Sequence, residues 1–443
     1  MKNKLLMLLL LLTAVAPLFS MDRVHFLELN KQGRELKKKQ DWAGMRQVLI
    51  EIGKTLPGLT PTYALRMASV ETHLGNKDVA LQWMERYANL GLTYDVAGDE
   101  DLKPLLVEAG WKKIAAQMER NKAPVMRADQ VCVLPIADLM PEDLTFDRTS
   151  QKLIVSSVQH HSLYRVSLPK NSGECGLEEL PLEPQAKRWP MLAVSFDPIR
   201  QLLWATSSAM PDFAGFPKED DGKAALLGID PRDGKMVRRF DLESGEPAVL
   251  GDMSVGADGT VYVTDSLGGG VYRIAGGDRE NLDTAKLEKI ADGLFSPQTP
   301  VLATDGKRLF VPEYPLGIAI IDLTVGKTIT ALPHPDTVAD TGLDGMHMVG
   351  DWLIGVQNGT EPERIMRFHL NRSQTEIDSA EVVEQSTPGL DGPTHAIALD
   401  GWVYVLANVG WDKIDDHGRL KAGVTFTPPV LLRFAEKGAS MSK

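Results

Sequence analysis

The chain has 443 residues, of which 43% are hydrophobic and 24% charged, and a formal net charge of −12 at pH 7. That length allows more than one domain and a sizeable core. The acidic balance argues against nucleic acid or an anionic membrane as partner, because a phosphate-contacting surface needs clustered Lys and Arg.

Lys2 and Lys4 precede an apolar run from Leu5 to Ala16, with Pro17 just after it. A basic start before a short hydrophobic region predicts a signal peptide over residues 1–20 and an exported protein, periplasmic or secreted. The run is short for a bilayer span, and no membrane contact is expected beyond it. Neither Ala14-Val15-Ala16, with Pro17 behind it, nor Ser20 is a good cleavage point, so the cut and retention as an anchor stay open.

Residues 22–123 predict a small all-α domain. Leu27, Leu29, Leu36, Trp42, Met45, Val48, Leu49 and Ile52 recur near helical period. Lys37-Lys38-Lys39 is the only basic cluster and reads as a solvated face. Thr60-Pro61 supplies an N-cap and a first-turn proline, and that helix should end near Leu74-Gly75-Asn76, with Asp78 capping the next. The phrase Leu74-Gly-Asn-Lys-Asp-Val-Ala-Leu81 resembles the turn of a tetratricopeptide repeat, echoed by Gln40-Asp-Trp-Ala-Gly-Met45. It departs from that pattern at Glu71 and Tyr87. Two such units suit either a packed hairpin or a groove for a protein partner. A further helix pair is expected around Asp101–Leu106 and Trp111–Met118.

Beyond Asn121-Lys-Ala-Pro-Val125 the texture changes to β-branched residues, Asp-Gly turns and prolines. Six apolar runs follow at about fifty-residue spacing, the regime of propeller blades. They are Lys152–Ser157, Leu202–Ser207, Thr260–Asp265, Arg308–Glu313, Asp351–Gln357 and Gly401–Asn408. Turns led by Asp147, Asp197, Asp258 and Asp305 precede four of them. The sixth unit stops after three strands at Pro429–Phe434, and an unassigned strand, Gln130–Leu134, lies upstream of the first. That strand completes the last blade and closes the ring, which removes exposed sheet edges. The expected architecture is therefore mainly β: a six-bladed propeller over residues 129–436, closed by an N-terminal strand and preceded by the helices. Within it Cys132 and Cys175 fall on neighbouring blades. An oxidising compartment permits a disulfide between them, and two separate buried thiols suit the sequence equally. The stretch from Ser207 to Lys223 is a long insertion of the kind that shapes access to a face.

Strands in a blade alternate in direction. The loop entering each innermost strand and the loop joining strands two and three therefore open on one face. The first set gives Glu142 and Asp143, Met191, Asp252, Gln298, Asp344, and Thr394 with His395. The second gives His160 and His161, Ser207 and Ser208, Asp265, Glu313 and Tyr314, Gln357 and Asn358, and Asn408. Acids and amides thus converge on one channel mouth. Such an oxygen-rich set suits a divalent cation, Ca²⁺ first, and a small-molecule ligand bound there.

These blades resemble the six-bladed family of senescence-marker protein, gluconolactonase and luciferin-regenerating enzyme. The matching phrases are Pro141-Glu-Asp-Leu-Thr-Phe-Asp, Asp258-Gly-Thr-Val-Tyr-Val-Thr-Asp-Ser, Ser296-Pro-Gln-Thr and Leu343-Asp-Gly-Met. The resemblance implies lactone or ester hydrolysis with one cation at the mouth, held by a glutamate, asparagines and an aspartate. Glu142 and Asp344 match two of these. Gln298 stands where an asparagine is expected, and Gly251 occupies another amide position with Asp252 beside it. The resemblance therefore assigns Glu142, Asp252, Gln298 and Asp344 to the metal. Asp344, His160 and His395 become the candidates for proton transfer, with His347 as a further acceptor. The alternative is a non-catalytic adaptor. No Gly-x-Ser-x-Gly elbow or phosphate-binding glycine loop is present. Trp411 lies in a loop, where core packing or stacking on a ligand would each account for it.

Overall fold

A computed structural model describes residues 23–56, 58–187, 189–325 and 328–436. The expected signal segment lies outside these. Among the described residues no helix is long and apolar enough to cross a membrane.

Five α-helices come first: α1 Arg23–Lys38, α2 Trp42–Thr55, α3 Pro61–His73, α4 Lys77–Asn89 and α5 Trp111–Asn121. Thr60 caps α3, its hydroxyl accepting from the Tyr63 amide at 3.2 Å. Gly75, at φ +78°, ends it in the left-handed conformation that a side chain would resist. Asn76, not Asp78, is the N-cap of α4, and Asp78 sits in the first turn. The expected helix near Asp101 is only a 3₁₀ turn, Lys103–Val107, because too few residues separate it from Gly110, the N-cap of α5.

The remainder forms six sheets around an axis. Each of blades one to five takes its four strands consecutively, with residues 173–174 looping out between the third and fourth strands of blade one. Blade six runs Ala396–Leu399, Trp402–Ala407, Val430–Ala435 and then Asp129–Val133, so the N-terminal strand closes the ring. The turn aspartates work alike. Asp147, Asp197, Asp258 and Asp305 each accept from the amide two residues on, at 2.8, 2.9, 2.9 and 2.9 Å. That local bond is why one residue type recurs at one blade position.

Closure has a second device. Cys132 and Cys175 are disulfide-bonded, their Cα atoms 5.4 Å apart. Beside them residues 173–174, an excursion of blade one, pair in parallel with the closing strand as a fifth strand of blade six.

The helices do not stand apart from the ring. Arg23 of α1 pairs with Glu313 of blade four and donates to the Gly293 carbonyl, while Phe26 meets Phe295 edge-on at 5.4 Å. The Thr93 amide donates to the Glu361 carbonyl. Arg364, buried in blade five, reaches the carbonyls of Leu90 and Gly91. Gln357 holds that guanidinium through its carbonyl, while its amide donates to Ala339 and Thr341. Glu313 and Gln357 end second strands, so the helical domain sits on the mouth face over blades four and five. Those two polar groups serve docking rather than the channel.

Candidate metal centre at the channel mouth

The innermost strands of blades one, five and six bring Glu142, Asp344 and His395 together. One side-chain donor atom from each lies within 4.8 Å of the others. Gly345 makes this approach possible. A Cβ there would stand 2.5 Å from the Thr394 oxygen and 2.6 Å from the His395 Cα. The Gly345 amide instead donates to Thr394 at 2.9 Å and locks blade five to blade six.

Each of the three residues is held by a polar partner. The Trp411 indole N–H donates to Glu142 Oε2. Asn358 donates to Asp344 Oδ2 at 2.6 Å, and its own carbonyl accepts from the Tyr314 hydroxyl at 2.8 Å. His395 Nε2 bonds Asp252 Oδ1, and Thr299 Oγ1 lies 2.9 Å from that carboxylate oxygen and 3.1 Å from Nε2. His395 is 3% exposed, yet its Nδ1 has no hydrogen-bond partner. Glu142 Oε1 and Asp344 Oδ1 likewise accept nothing from the described residues. Outer partners that hold one atom of a residue and leave its second donor atom unbonded are the usual support of metal ligands. The donor set and the orphaned imidazole nitrogen therefore fit a cation.

The electrostatics agree. Among the described residues, Glu142, Asp143, Asp252 and Asp344 share this region with one ionisable base that acts on them, His395. Burial, reinforced by Asp344, holds the Glu142 carboxyl well above the usual range. Burial also pushes Asp344 up to about 7 and Asp143 to about 6, with His395 opposing both. Burial works against a charge on His395, but Asp143, Asp252 and Asp344 outweigh it and raise its pKa well above normal. In the absence of a bound cation the imidazolium is the cluster's own counter-charge. One positive charge cannot balance four carboxylates.

The other residues singled out from the sequence stand outside the triad. Asp252 reaches the centre through His395. The Gln298 amide donates to Ser296, at 3.1 Å to the carbonyl and 3.0 Å to the hydroxyl. Thr299, one residue on, is the blade-four side chain that enters the constellation. His160 lies 2.7 Å from the Tyr164 hydroxyl and 3.3 Å from Asp138, outside the triad. His347 lines the tunnel wall, where burial lowers its pKa to about 4. Thr299 was open to detection as the next residue of Ser296-Pro-Gln-Thr; no signal in the sequence pointed to Trp411 as the partner of Glu142.

The mouth is roofed on both sides. The loop after Ala407 crosses to the blade-two insertion, where the Ala214 amide donates to the His417 carbonyl at 2.8 Å. Beneath it Met140, Val158, Leu192 and Ile414 pack with Phe213, Trp411 and Phe426. From the opposite face a tunnel of about 310 Å³, lined by Thr145, Ser195, Ser254 and Met348, rises to Asp143, Thr299 and His395.

No family model and no curated protein matches the chain. Among solved structures it is similar to the PQQ-bound aldose sugar dehydrogenase of Streptomyces coelicolor, at 14% identity and a TM-score of 0.44, over 70% of this chain and 99% of that one. A luciferin-regenerating enzyme is 11% identical with a TM-score of 0.45, over 70% and 95%. A gluconolactonase of Xanthomonas campestris is 14% identical with a TM-score of 0.43, over 70% and 97%. These likenesses carry no chemistry across; the six closed sheets themselves establish the chain as a six-bladed β-propeller preceded by a helical segment.

Proposed function

We propose that the protein is an exported hydrolase of lactones or esters that works with a divalent cation held by Glu142, Asp344 and His395. The observation that carries this reading is the approach of donor atoms from the three residues to within 4.8 Å of one another, each residue being held by a polar partner. A bound cation supplies Lewis-acid polarisation of the scissile carbonyl and a water of lowered pKa. An imidazole donor moves the favoured ion from Ca²⁺ toward Zn²⁺ or Mn²⁺, since Ca²⁺ takes oxygen ligands. In this role His395 is neutral, keeps its proton on Nε2 toward Asp252, and offers Nδ1.

Proton transfer falls to Glu363. It is half-buried near Tyr314 on the mouth face, and burial pushes its carboxyl up to about 7. A group titrating near neutrality is suited to accept a proton from water and return it to a leaving alkoxide. Tyr314 and Asn358 position Asp344, and the apolar roof limits bulk water.

Export is part of the proposal, supported by the Cys132–Cys175 disulfide, which persists in oxidising compartments. A protein partner at the exposed side of the helices is proposed on the same footing.

The test joins melting curves in Zn²⁺, Mn²⁺ and Ca²⁺ with a panel of aldonolactones and aryl esters. Zn²⁺ or Mn²⁺ should raise the melting temperature of the wild type and not of Glu142→Gln. Turnover should exceed the Glu142→Gln background, and Glu363→Gln should lower kcat by about 10²-fold with KM little changed. Absence of any cation-dependent shift would remove the reading. The roofed mouth favours a second one, a non-catalytic adaptor braced by its ion. There the shift persists and no member of the panel is turned over.

A further inference from the structure

A second site lies away from the mouth. Between α1, α2, α3 and blade four is a cavity of about 220 Å³ whose wall is largely apolar: Phe26, Leu49, Ile52, Leu56, Phe295 and Leu316. A neighbouring cavity of about 280 Å³ shares Asn30, Arg34, Leu49, Ile52 and Arg66 with it and adds Ser69. The two guanidiniums thus stand on the line where an apolar chamber meets a polar one.

Among the described residues neither Arg34 nor Arg66 meets a carboxylate. Arg66 donates to Asn30 Oδ1 at 2.8 Å, and the Asn30 amide is itself fixed on the Phe26 carbonyl at 2.8 Å. The nearby acids are committed: Asp101 to Lys37 and His73, Asp99 to the Tyr94 hydroxyl. Ser69 lines the polar chamber, and its buried Oγ has no hydrogen-bond partner. Two like charges side by side, one half-buried, cost stability unless an anion joins them. In a chain of net charge −12 an uncompensated pair of this kind is notable for lining the same chamber as an orphaned hydroxyl.

We propose that this cleft binds a small apolar monocarboxylate, its carboxylate between Arg34 and Arg66 and its hydrocarbon body in the chamber formed with Phe295 and Leu316. Paired guanidiniums match the geometry of a carboxylate. The apolar chamber, of about 220 Å³, is walled on one side by Phe295 and Leu316 of blade four, which suits a short acyl chain better than a peptide. The site couples the helices to the ring, since its two walls belong to different parts of the chain.

Calorimetric titration with octanoate tests this, with octan-1-ol and acetate as probes lacking the charge or the body. Octanoate should bind saturably and more tightly than either. Arg34→Gln and Arg66→Gln should each weaken it at least tenfold, and Arg66→Lys should restore part of the loss. Melting curves confirm that the variants fold; Arg34 is exposed, so its replacement leaves the packing intact. Equal affinity for octan-1-ol, or unchanged affinity in the arginine variants, would overturn the assignment. So would tighter binding of a leucine-terminated peptide, which would make the occupant a protein chain end. Loss of octanoate binding in Glu142→Gln would place the acid at the mouth instead and also defeat it.

Discussion

Asp344→Asn should melt at a higher temperature than the wild type in chelator at pH 8, and should lose both the cation-induced stabilisation and the turnover. The carboxylates at the mouth repel one another in a buried setting, and His395 is the charge that offsets them, helped by hydrogen bonds from Trp411 and Asn358. The sign follows from Asp344, whose folded pKa of about 7 lies above that of an unfolded aspartate. Its contribution is fully present below about pH 4 and is lost as the pH rises through 7. Wild-type stability in chelator should therefore fall across that window by about 2–4 kcal/mol, and the asparagine variant should show a flatter profile. Saturating cation reverses the comparison. At a hundredfold excess over Kd a ligand adds about 2.7 kcal/mol to the wild type and little to the variant. Chemical denaturation at pH 5 and pH 8, with chelator and with Zn²⁺ or Mn²⁺, checks both halves. A variant less stable than the wild type in chelator at pH 8 would show that the carboxylates are not frustrated, and the cation site would lose its electrostatic basis.

Removing the disulfide as Cys132→Ala with Cys175→Ala should cost about 4 kcal/mol of unfolding free energy. The bridge closes a loop with a sequence separation of 43, and the chain-entropy relation gives that magnitude. It also fastens the parallel pairing of residues 173–174 to the closing strand, so the loss should concentrate where the ring is sealed. Hydrogen exchange is expected to speed up in residues 129–133 and 430–435 before it does in blades two to four. Reductant added to the wild type should reproduce the change. An unchanged denaturation midpoint, or faster exchange spread evenly over six blades, would show that closure rests on backbone pairing alone.

Much of the fold is written in short-range pattern. A turn aspartate binds an amide two residues away, and a strand alternates its faces every second residue, so blade boundaries can be read along the chain. Ring closure also follows from that pattern, because a sixth unit lacking one strand and a spare strand upstream leave a single economical pairing. The candidate site was legible only in part, in the positions that face the channel. Glu142, Asp344 and His395 were identified from their place at the start of inner strands. The resemblance had paired Glu142 with Asp344, but the place of His395 beside them as a third donor was not legible, nor was the turning of Gln298 toward Ser296 while Thr299 takes the central place.

By itself, then, the sequence determined the number of blades, the closing strand and the face on which acidic residues gather, because each is set by periodicities a few residues long. Only the tertiary structure decided that Asp252 steadies His395 across a separation of 143 residues, and that Trp411 holds Glu142 across 269. It also decided that the helices cover blades four and five, and that Glu313 and Gln357 serve that docking. Such choices depend on how six sheets rotate about one axis and which rotamers their packing permits, and no local pattern encodes a meeting between residues so far apart.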